Sequence, residues 1–190
     1  MTALLLALVA AATPVPGETC VYEAVPAGSR GAIADAVLAK RLRGSPVEAV
    51  LQKATDGCAR QHGWTVQQAL HANGHAMMRV GAERIAEQLG RPGWSGIAMT
   101  AVRLRPREQL ETLVTVGKGK AEFELVLTHM IAADRGIAAF VDASDNATVE
   151  RFILMIKLLA VGELERLRLA EAPAFLSAPG GLMPGTADAR

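Results

Sequence analysis

Residues 152–161 read FILMIKLLAV, ten positions interrupted by a single polar side chain, Lys157. On a helix this stretch is apolar on nearly every side. A helix of that kind is buried at the centre of a bundle or against a second subunit. It is too short to cross a bilayer, which takes about 20 residues. The rest of the chain must therefore supply the elements that wrap it.

Those elements read as helices too. The chain is 51% hydrophobic but only 4% aromatic, with alanine and leucine dominant, a mixture that favours helix over strand. A first helix is expected near 31–42. A second opens at Ser45-Pro46-Val47-Glu48, where Ser45 and Glu48 form a capping box and Pro46 takes the first helical position, and it runs to about Gln61 with Gly63 as the stop. A third opens at Thr65-Val66-Gln67-Gln68, another capping box, and runs over 66–89 to Gly90 and Pro92. Two short helices follow, Ser95 capping the first and Pro106 starting the second. Then comes a helix over 120–135 with Gly136 after it, and a last one from Ser144 or Asp145 to about Ala170. The fold expected is an all-α, single-domain bundle of five to seven helices over 31–172. An extended arm, 13–30, precedes it and a flexible Gly/Pro/Ala-rich tail, 173–190, follows.

Residues 1–12 read as a secretory signal peptide: an apolar run from Ala3 closes on an A-x-A pattern at Ala10–Ala12, and Thr13-Pro14 follows. The expected location is periplasmic or secreted, in a bacterium by the Ala/Gly/Arg-heavy composition. In such a compartment the two cysteines, Cys20 and Cys58, read as one disulfide. It would close a loop of roughly 38 residues, worth about 4 kcal/mol in the loop-entropy treatment. It would also pin the arm to the second helix. A net charge of +1 argues against nucleic acid as a partner. Nothing after residue 12 suggests stable membrane insertion.

The chemistry is concentrated in HANGHAMM, where His71 and His75 stand four apart and so share a helix face. That spacing suits two imidazoles on one zinc or copper ion. A zincin helix also needs a glutamate directly after its first histidine. Ala72 stands there, which excludes metalloprotease chemistry. A third ligand is required; His62, His129 or a carboxylate could serve, and no spacing selects among them. On the helical wheel Val66, Leu70, Met77, Ile85 and Leu89 form an apolar stripe, with His71 at its edge and His75 further towards the polar side. Gly74 and Gly81 suggest close approach of another helix. Val116-Gly117-Lys118-Gly119-Lys120 lacks the spacing of a phosphate loop and reads as an interhelix loop.

Three functions follow from the sequence. The leading one is an exported, non-enzymatic module that binds a protein partner or a second copy of itself. The first alternative is a zinc- or copper-binding protein using His71 and His75. The second is a small hydrolase whose site is assembled from distant residues.

Overall fold

The carboxylate of Asp145 accepts a hydrogen bond from the Thr148 backbone N–H (2.8 Å) and so caps the longest helix, α9 (Asn146–Glu171). Around it a computed structural model describes residues 16–172. The expected signal peptide and C-terminal tail lie outside the described residues. Within them the chain is all helix: α1 (Cys20–Ala24), α2 (Ala27–Leu38), α3 (Pro46–His62), α4 (Val66–Gln88), α5 (Trp94–Arg103), α6 (Arg107–Val114), α7 (Lys120–Ala133), α8 (Gly136–Ala143) and α9.

The apolar stretch in α9 is buried at the centre of the bundle: Phe152, Met155, Ile156, Leu159 and Ala160 are at most 1% exposed. Its principal partner is α4, which runs antiparallel to it. Gln68 meets Ala172, His71 meets Glu165, His75 meets Gly162 and Gly81 faces Leu158, in descending order along α9. The paired glycines of α4 act as expected. A Cβ on Gly74 would lie 3.1 Å from Glu165 Cγ, and one on Gly81 would lie 3.3 Å from Leu158 Cδ1.

Two cores flank this central pair. On one side α5–α8 pack Leu110, Leu113, Val126, Met130 and Ile137 around an aromatic cluster. There Trp94 meets Phe140 edge-on at 4.8 Å and Phe152 at 5.7 Å. The Trp94 indole N–H donates to Asp134, which holds that carboxyl below its usual range. On the other side α1–α3 pack Val21, Ile33, Leu51 and Cys58 against Ala72, Ala76 and Val80 of α4. No helix among the described residues is long and apolar enough to cross a membrane.

Several expectations need correction. There are nine helices among the described residues, not five to seven. Gly136 starts α8 instead of merely ending α7, and residues 20–24 and 27–30 of the supposed extended arm are helical. The reason is covalent and local. Cys20 is bonded to Cys58, with their Cα atoms 5.9 Å apart, so α1 is held on α3. Tyr22 lies between the guanidinium groups of Arg30 and Arg79, 4.2 and 3.6 Å from its ring centroid, while its hydroxyl donates to Glu83. The Thr65 capping box forms in full. The one at Ser45 does not: that hydroxyl donates to the Leu42 carbonyl, and Glu48 accepts from the Gly44 N–H. Ser95 is not a cap but a buried residue within α5, its hydroxyl turned to the Pro92 carbonyl.

Candidate functional site

The largest correction concerns the histidines. His75, expected towards the polar side, is 1% exposed, whereas Val66 and Leu70, expected in the apolar stripe, are 80% and 64% exposed. The first turns of the helix are packed on a different phase from the one its large apolar residues suggest, while Ile85 of the stripe is buried. Four alanines, Ala72, Ala76, Ala82 and Ala86, all at most 2% exposed, share the buried positions with His75, Val80, Gly81 and Ile85. Small residues there let the bulkier α9 and the α1–α3 core come close. That brings His71 and His75 onto the α9 seam.

Each imidazole is oriented by its Nδ1. In His75 it lies 3.0 Å from the Gly162 carbonyl oxygen. A carbonyl only accepts, so Nδ1 carries the proton and Nε2 is left as an acceptor. Nε2 is buried with no partner among the described residues. Burial lowers the pKa of His75 below the ordinary imidazole value, against the opposing pull of the Gly162 bond and Glu163. Glycine at 162 suits this close approach, since a Cβ would stand 3.1 Å from Met78 Cβ, tighter than ordinary contact. In His71, Nδ1 is 2.7 Å from Glu165 Oε2, and Glu165 also accepts from Arg168.

Beside His75 is a ring of alternating charges that the sequence reading missed. Glu163 (2% exposed) and Arg166 (4% exposed) form a forked pair within α9, with Arg166 Nε 2.9 Å from both carboxylate oxygens. Arg166 also reaches Glu18 at 3.3 Å, and Arg103 of α5 reaches Glu18 at 3.2 Å and Glu163 at 3.5 Å. Among the described residues these two acids and two guanidinium groups balance in charge. The signal was present in the sequence. On a helix of 100° per residue, 163 and 166 fall within the same stripe as Phe152, Ile156 and Leu159. A charged pair in the middle of an apolar stripe is a buried pair.

The remaining histidines do not converge on this place. His129 is exposed on α7 beside Arg105, and His62 ends α3, stacked on Trp64 at 5.2 Å. No group of three or more His, Cys, Asp or Glu side chains able to hold a metal ion occurs among the described residues. The His71–Glu165 pair has the geometry of a base and its orienting carboxylate. However, no Ser, Thr or Cys side chain is hydrogen-bonded to His71 among the described residues.

On another side of α4 lies a different kind of feature. Trp64, Val66, Ala69 and Leu70 border a groove of about 240 Å³ between α3 and α4. Asp56 is the only charged residue in its lining among the described residues, where the buried amide oxygen of Asn73 also has no partner. Compared with known protein families, with curated proteins and with solved structures, the chain matches none.

Proposed function

We propose that the chain is an exported, non-catalytic binding module that docks a cationic amphipathic helix on the ledge formed by Trp64, Val66 and Leu70. The observation that carries this reading is the exposure of Val66 and Leu70, 80% and 64%, on successive turns of α4 beside a tryptophan. Single exposed apolar residues are ordinary. Two at i, i+4 spacing on the lip of a groove are the pattern by which helices dock side by side. Charge selects the partner. Asp56, exposed on α3 at the groove, favours an ammonium or guanidinium group. A second copy offering the same ledge would set one Asp56 against another. Export is supported by the Cys20–Cys58 disulfide, a bond that persists in oxidising compartments, together with the apolar run before it.

Titration of the full chain with a leucine/lysine amphipathic helical peptide tests the docking. A saturable shift in Trp64 emission is expected, absent in Trp64→Phe and Leu70→Glu and not produced by a leucine/glutamate peptide. Equal response to both peptides, or an unchanged response in Leu70→Glu, overturns the reading. Light scattering that shows a dimer dispersed by Leu70→Glu replaces the cationic partner by a second copy.

A second reading rests on ring orientation. Both imidazoles spend Nδ1 on an oxygen of α9, as histidines do when they hold a metal through Nε2. It requires that the untagged chain retain zinc or copper and that His71→Ala lose it. Absence of metal from both removes it.

A further inference from the structure

Helix α3 separates two grooves of opposite charge. The groove towards α4 carries Asp56, while the one towards α1 carries Lys53 and, among the described residues, no carboxylate. The second is larger, about 550 Å³, within the range of 300–1,000 Å³ common for small-molecule sites. Val50 and Ala54 of α3 form its apolar wall, Ala24 and Pro26 stand opposite, and the Cys20–Cys58 disulfide joins the two sides. That covalent link keeps the groove formed before any ligand arrives. Ser29, Gln61 and Lys53 are its hydrogen-bonding side chains, and Lys53 makes no ion pair among the described residues.

Gly57 gives an independent reason to regard the groove as open by construction. It lies inside α3, where glycine costs helix propensity. Neither crowding nor a left-handed backbone calls for it: a Cβ there would meet nothing within 4 Å, and its φ is not positive. The effect of the missing side chain is empty space above the groove wall.

We infer that this groove binds a small amphipathic carboxylic acid, with its apolar body along Val50, Ala54 and the disulfide and its carboxylate on Lys53 Nζ. This site is separate from the Trp64 ledge and does not depend on it. Calorimetric titration of the full chain with decanoate, decanol and decylamine tests the inference. Decanoate is expected to bind saturably at one site, decanol several-fold more weakly and decylamine not at all. Lys53→Met should weaken decanoate several-fold. Gly57→Leu should abolish its binding by filling the groove, with the melting temperature unchanged or raised. Decylamine binding as tightly as decanoate, or unaltered decanoate binding in Gly57→Leu, overturns the inference. The Leu/Lys-peptide response of Gly57→Leu stays as in the parent chain, so failure here and failure at the ledge are told apart.

Discussion

Two faces of α4 make opposite use of their residues. The face towards α9 carries the side chains that look chemical, His71 and His75, and both have their Nδ1 tied to the neighbouring helix. The face with Val66 and Leu70 carries side chains that look like core, and they are the ones left uncovered. The difference teaches that residue type alone does not assign a role. A buried imidazole with one nitrogen tied to a backbone carbonyl fixes how two helices register. An exposed leucine on a rigid helix is free to meet something else.

The sharpest way to break the comparison is to disturb the charge ring beside His75. Arg166→Met removes the forked partner of Glu163, a residue 2% exposed, and leaves it only the 3.5 Å contact with Arg103; removing one member of a buried pair costs about 3–5 kcal/mol. Chemical denaturation should show a loss of that size. Glu163→Leu combined with Arg166→Met should recover most of it; equal loss in single and double variants would mean that the ring is not the cause.

Next in size is the disulfide. Cys20→Ser with Cys58→Ser opens the loop that holds α1 on α3, with an expected loss of about 4 kcal/mol. A melting temperature equal to that of the parent would show that Tyr22 and the apolar contacts of α1 suffice alone.

His75 gives a smaller, pH-dependent effect. Its folded pKa is lowered, so acidification protonates the unfolded chain first and stability falls with falling pH. The contribution is present above about pH 6.5, the ordinary imidazole value, and is lost as the pH drops through that value towards the folded pKa. Glu163 of α9, Arg103 of α5 and Glu18 are the charges facing it. Melting temperatures from about pH 7.5 to about pH 5.5 should fall for the parent chain and fall less for His75→Phe. Parallel curves would contradict a buried neutral imidazole.

How much of this was legible in the sequence divides along the same line. The central helix was readable because FILMIKLLAV leaves no polar face, and the α4 start because Thr65 and Gln68 stand at capping distance. The disulfide was readable from an even cysteine count. The phase of the first turns of α4 was not, because half of its buried positions are alanines, which a search for large apolar side chains passes over. The charge ring was half-legible: the stripe position of Glu163 and Arg166 is local information. Glu18 and Arg103 arrive from helices and turns far away in the chain, and no pattern announces them. Trp64 and its groove depend on how α3 and α4 pack, which no local period contains.

The smallest stability effect carries the most weight. Leu70→Glu places a charge where 64% of the residue is already in water, and surface changes of this kind stay within about 0.5 kcal/mol. Melting temperature and Leu/Lys-peptide titration on this one variant test the central claim together. An unchanged melting temperature and a lost Trp64 response are expected. A large fall in melting temperature, or a response equal to that of the parent chain, would contradict it.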